Sequence, residues 1–65
     1  MGEATTSAKV TEFLERAAHY AELKRQMSHL PTRLIFEQME ISYRNLAESQ
    51  EQLERSKRHV EALDR

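Results

Sequence analysis

The stretch Met27-Ser28-His29-Leu30-Pro31-Thr32 holds the only proline of the chain and separates two segments of helical pattern. Pro31 disfavours helical geometry at Leu30 and suits the first position of a new helix. The connection is therefore two or three residues long. A connection that short makes the flanking helices antiparallel neighbours. Leu30 is a poor cap, and the hydroxyl of either Ser28 or Thr32 can supply the missing one.

Upstream, the pattern predicts a helix over residues 7–28. Thr6 or Ser7 serves as its N-cap, since a hydroxyl there can accept an orphan backbone N–H. Val10, Phe13, Leu14, Ala17, Ala18, Ala21, Leu23 and Met27 follow mostly at spacings of three and four, which gives one broad apolar face. Glu12–Arg16 and Glu22–Gln26 fall outside that face at i, i+4.

Downstream, a longer helix is expected over residues 31–63. From Thr32 to Leu63 there is neither Gly nor Pro, and Met39, Leu46, Leu53 and Val60 recur every seven residues. Ser42, Ser49 and Ser56 sit three residues after the first three of these. As a heptad repeat the first core position is apolar and the second is serine, so a seam built on it is weak. After Ala47 the chain turns polar, and Glu51–Arg55, Glu54–Arg58 and Glu61–Arg65 are i, i+4 pairs. Each such pair contributes only about 0.2–0.5 kcal/mol.

Folding about residues 29–30 sets Leu14 level with Leu46, Ala17 with Tyr43, Tyr20 with Met39 and Ser7 with Leu53. Ala17, Ala18 and Ala21 then face the bulkier Phe36, Met39 and Tyr43. Everything beyond about Arg55 overhangs, roughly 15 Å of helix. A two-helix unit of this kind leaves Ile35, Phe36, Ile41 and Leu53 partly wet. The fold expected is all-α: an antiparallel hairpin with a longer second helix that dimerises into a four-helix bundle. Phe13, Leu14, Ala17, Tyr20, Phe36, Met39, Tyr43 and Leu46 form the expected bundle centre. Residues 1–6 are expected to be disordered and 7–65 to make a single domain.

Size supports self-association. Sixty-five residues without a cysteine can use neither a disulfide nor a thiolate metal site to reinforce a small core. The net charge is −1 with the signs interspersed. No strong field then draws nucleic acid or anionic lipid. The first nine residues lack the apolar run of a secretory signal, and no stretch approaches the length of a membrane span. The expected location is the cytoplasm.

Chemistry-bearing residues are few. Glu15 and His19 lie at i, i+4, a spacing that can present two metal ligands, and the facing segment adds Glu40 but no histidine. Chance surface pairing explains that spacing better, and neither a metal nor a cofactor is expected. There is no Cys nucleophile and no Gly-rich phosphate loop. Tyr20 and Tyr43 lie within the apolar pattern, as core tyrosines do. Arg55, Lys57, Arg58 and His59 form a basic cluster in the last turns of the long helix, where cations offset its dipole. Glu54 and Glu61 dilute the cluster and no aromatic accompanies it, unlike a nucleic-acid footprint. The reading is therefore non-enzymatic.

Two fragments carry a resemblance. Arg16-Ala17-Ala18-His19-Tyr20-Ala21-Glu22-Leu23 reads as RAxxYxxL. After Arg33, Met39-Glu40-Ile41-Ser42-Tyr43-Arg44-Asn45-Leu46-Ala47-Glu48 reads as MExSYRxLAE. Over about residues 12–50 this resembles a group of short uncharacterised two-helix proteins of alphaproteobacteria. Their break usually carries Asp-Pro, where this chain has Leu30-Pro31. The resemblance implies a small soluble helical protein and brings no site residues with it.

The function expected is a small interaction or regulatory protein acting as a homodimer, with a further protein partner open to it. The alternative is a helical chaperone or adaptor that takes an amphipathic segment of a partner in place of the second subunit.

Overall fold

A computed structural model describes residues 7–63, with side chains described as far as His59. The expected disorder of residues 1–6 and the side chains of Val60 and Leu63 lie outside these described residues. Helix α1 runs over Ala8–Gln26 and helix α2 over Leu30–Leu63. The two pack against each other as an all-α hairpin whose second helix is the longer.

Ser7 is the cap of α1. Its hydroxyl accepts from the Val10 backbone N–H at 3.2 Å, and its carbonyl accepts from Thr11. Lys24 and Arg25 occupy the last turn, where positive charge suits the exposed carbonyls. The helix ends at Gln26, earlier than the expected 28, because Met27 adopts extended backbone while its N–H still bonds the Lys24 carbonyl.

The start of α2 differs from expectation in a specific way. Leu30 is already helical, and His29 is the residue outside: its carbonyl accepts from the Arg33 N–H at 3.0 Å. Pro31 therefore sits in the second helical position. It loses nothing there, because the first four N–H groups of a helix have no acceptor within it. Of the two candidate hydroxyls it is Thr32 that engages, 2.9 Å from His29 Nδ1. That contact closes the turn between side chains and leaves Ser28 exposed.

The hairpin is held by an aromatic ladder. Phe36 and Tyr20 lie 6.1 Å apart, Tyr20 stacks on Tyr43 at 5.8 Å with rings 6° from parallel, and Tyr43 meets Phe13 at 6.4 Å. These four are all the aromatic residues of the chain, and they alternate between α2 and α1. Offset aromatic pairs at such distances are worth about 0.5–1.5 kcal/mol beyond their buried area. The Arg16 guanidinium lies 6.0 Å from the centre of the Tyr43 ring and covers its open side. Among the described residues Val10, Ala17 and Ala47 are the buried apolar ones, and the small alanines let the helices approach.

The axial register agrees with the expected fold about residues 29–30: Tyr20 meets both Phe36 and Tyr43, on either side of its expected level at Met39. Of the expected core, Phe13, Ala17, Tyr20, Phe36 and Tyr43 lie between the helices, but Leu14 and Leu46 do not. Leu14 and Leu46 are level but 47% and 46% exposed. The buried positions Ala17 and Ala47 take their place, and Ala18 is exposed although it was expected to face the bulky residues. Phe36, Glu40, Tyr43 and Ala47, spaced 4, 3 and 4, define the face of α2 turned to α1. Leu46 lies on its flank.

Beyond Glu54, α2 continues to Leu63, and its described side chains from Arg55 to His59 are all exposed. Cutting the chain after Glu54 removes no described contact with α1. The truncated chain is expected to keep the helicity of residues 8–54, read by far-UV circular dichroism. Loss of all helicity on truncation would make the overhang part of the folding unit.

Candidate interaction surface

A run of large aliphatic side chains remains on the outside of the hairpin. Leu30, Leu34, Ile35, Ile41, Leu46 and Leu53 of α2 are exposed, as is Leu14 of α1. Ile35, Ile41 and Leu53 were expected to stay wet; Phe36 is half-buried in the ladder. Exposed apolar surface on this scale in so small a protein marks a place of contact.

The surface divides by helical spacing. Ile35, Met39, Leu46 and Leu53 repeat at 4, 7 and 7 residues and run along one flank of α2. Leu30, Leu34 and Ile41 lie on the back of the helix near the turn. Leu14 lies on the opposite flank of the hairpin, in line with Ala18 and Ala21. Those two alanines, with Glu22, Lys24, Arg25 and Arg44, line a shallow open depression.

Beside that depression sits Glu40, which is 6% exposed. Lys24 Nζ approaches its Oε1 at 3.0 Å from across the hairpin, and Arg44 binds Oε2 at 2.8 Å from the next turn of α2. The ammonium lies off the hydrogen-bonding direction of Oε1, which is left without a hydrogen-bond partner. Among the described residues this is the one ion pair that bridges α1 and α2, so it ties the register of one helix to the other. Lys24 is 28% exposed and Arg44 64%. Loss of the shielded partner should therefore hurt more. Lys24→Ala is expected to cost about 1–3 kcal/mol, because it strands a buried carboxylate charge. Arg44→Ala should cost about 1 kcal/mol or less, as exposed pairs do. Chemical denaturation of the two variants measures the difference. Sequence reading placed Glu40 on the facing segment without giving it a partner; the signal that places it inside is its spacing from Phe36, Tyr43 and Ala47.

The residues weighed for chemistry do not converge. Glu15 and His19 are exposed on α1, and His19 packs edge-on against Tyr20 at 5.4 Å. Glu40, the carboxylate expected on the facing segment, is held by Lys24 and Arg44. Among the described residues no three His, Asp or Glu side chains are grouped to hold a metal ion. Tyr20 and Tyr43 stack on each other in the ladder. Arg55, Lys57, Arg58 and His59 are exposed on the overhang.

The surface carboxylates are occupied locally. Glu12 meets Arg16 at 3.3 Å, and Glu22 binds Arg25 and accepts from Gln26 at 2.8 Å. The Arg25 hydrogen bond foremost, with that of Gln26, lowers the Glu22 pKa from its ordinary value. Glu54 accepts from Gln50 at 2.8 Å. That bond, then the Ser7 side chain, lowers its pKa too, with Arg58 and Lys57 acting only as nearby charges. Glu54 is thus engaged by Gln50 one turn earlier, a partner its i, i+4 spacing to Arg58 does not suggest. Among the described residues no helix is long and apolar enough to cross a membrane. No family model matches the chain, and none of the curated proteins or solved structures compared with it matches either.

Proposed function

We propose that this chain is a non-enzymatic protein-interaction protein that works as a homodimer, two hairpins joining into a four-helix bundle. The observation that carries the reading is the aliphatic flank of α2, where Ile35, Leu46 and Leu53 stand exposed along a helix that outruns its partner. Burying each such side chain stabilises by about 1.5–3 kcal/mol. A two-helix unit of this size is marginal without that gain. The likeness to short two-helix proteins of alphaproteobacteria belongs to the same proposal, as does a cytoplasmic location.

Sedimentation equilibrium at micromolar concentration tests it. A dimer of about twice 7.7 kDa is expected. A fully helical monomer would sink the homodimer, and the exposed flank would then favour the chaperone or adaptor reading, in which a partner's amphipathic segment takes the second subunit's place.

A further inference from the structure

We propose that the homodimer forms along one flank of α2, with the two copies of α2 antiparallel and Leu46 of one copy level with the partner's Ser49. This deepens the reading above and rests on it.

The flank consists of Ile35, Gln38, Met39, Ser42, Asn45, Leu46, Ser49, Gln52, Leu53 and Ser56. All are exposed except the half-buried Met39. None of the ten is charged, although charged residues make up 32% of the chain. Between Ile35 and Ser56 charges are excluded from this one strip of an otherwise charged helix, as they are depleted in the core of interfaces, and Lys57, about five turns on from Met39, is the first charge at its edge. Gln38, Asn45 and Gln52 border the strip. Their amides both donate and accept, so the same groups on a second copy can satisfy them. A second copy thus fits the strip's chemistry on its own terms.

The orientation follows from the alternation of bulky and small residues. In a parallel pair in register, Leu46 would meet Leu46 and each serine would meet its own copy. Three layers of facing serines would then leave voids, and unfilled volume is destabilising. Turned end over end, Met39 lies level with the partner's Ser56, Leu46 with the partner's Ser49 and Leu53 with the partner's Ser42. Every bulky side chain then meets a small one, and facing helices interdigitate. The same register sets position 32 level with position 63 of the other copy. The overhang beyond Glu54, which α1 does not reach, thereby lies along the first turns of the second α2. One arrangement accounts for the uncharged strip, the serine spacing and the unequal helix lengths.

Disulfide trapping tests it in a chain that has no cysteine of its own. Full-length Met39→Cys and Ser56→Cys proteins are mixed, re-equilibrated and oxidised, and the products are separated by mass, with far-UV circular dichroism confirming each fold. The expected product joins Met39→Cys to Ser56→Cys. Self-linked products should be scarce, because identical positions lie about 25 Å apart along the axis. Self-linked products of both variants would overturn the antiparallel register. A dimer by sedimentation with no disulfide at all would overturn the seam while leaving the homodimer standing. A monomeric parent chain would remove both. Should Met39→Cys lower the helicity, Ser42→Cys with Leu53→Cys poses the same question at a second layer.

Discussion

Replacing Tyr43 with alanine is expected to abolish the cooperative melting of the chain. Tyr43 is the middle of the aromatic ladder: it stacks on Tyr20, meets Phe13 and carries Arg16 over its ring. An aromatic-to-alanine change at a packed site costs about 3–5 kcal/mol. Small domains have little more than that in total, and each kcal/mol lowers the melting temperature by about 4–8 °C at this size. Tyr43→Phe keeps the ring and serves as the control, with an expected change of about 0.5 kcal/mol or less. Thermal melts followed at 222 nm read both. A Tyr43→Ala protein melting within a few degrees of the parent would mean that the ladder does not hold the hairpin.

The parts of this fold legible in the sequence are those decided locally. Pro31 in a chain otherwise without proline marks the turn, Ser7 offers the cap, and Glu12–Arg16 and Glu22–Gln26 meet as their spacing dictates. The axial register was legible as well, because a short turn fixes which residues are level. The rotation of each helix was legible only in part. The apolar face of α1 is broad, and Leu14 and Ala17 both belong to it. Either could be turned inward without changing the pattern. What settles the choice is tertiary: the ladder of Phe36, Tyr20, Tyr43 and Phe13 and the close approach that Ala17 and Ala47 permit. Once that face is buried, Glu40 is carried inside with it and takes Lys24 as its partner. Leu46, whose heptad spacing marks it as core, is left on the flank.

That displacement of Leu46 changes what its heptad means. Met39, Leu46 and Leu53 recur every seven residues, but the hairpin does not use them as its main seam: Leu46 and Leu53 stay exposed and Met39 is only half-buried. A repeat that keeps its apolar residues on an unoccupied flank, free of charge, is the pattern of a helix that meets another helix there. The serines lower the strength of such a seam and allow a closer approach. The same spacing that makes a weak parallel coil gives interlocking layers when one copy is inverted. The structure thus separates two apolar surfaces that the sequence presents as one, an inner aromatic face between the helices and an outer aliphatic flank left exposed.

Leu53→Glu is the substitution that should separate those two surfaces most sharply. Leu53 is 61% exposed and lies just short of the overhang, so a carboxylate there remains in water in the isolated hairpin. Its effect on the α1–α2 packing should be slight. In the proposed symmetric dimer the change removes two buried leucines, each worth about 1.5–3 kcal/mol, and brings a charge into an uncharged strip. The expected loss is on the order of 3 kcal/mol or more, which weakens dimerisation by about 100-fold or more at 1.4 kcal/mol per factor of ten. Leu14→Glu is the matching control. Leu14 is comparably exposed but faces away from the seam, beside Ala18 and Ala21, so its dimer constant should be unchanged. Sedimentation equilibrium across a concentration series compares the two variants with the parent. Dissociation by Leu14→Glu and not by Leu53→Glu would move the interface to the other face of the hairpin, where Leu14 and the alanines would have to supply it.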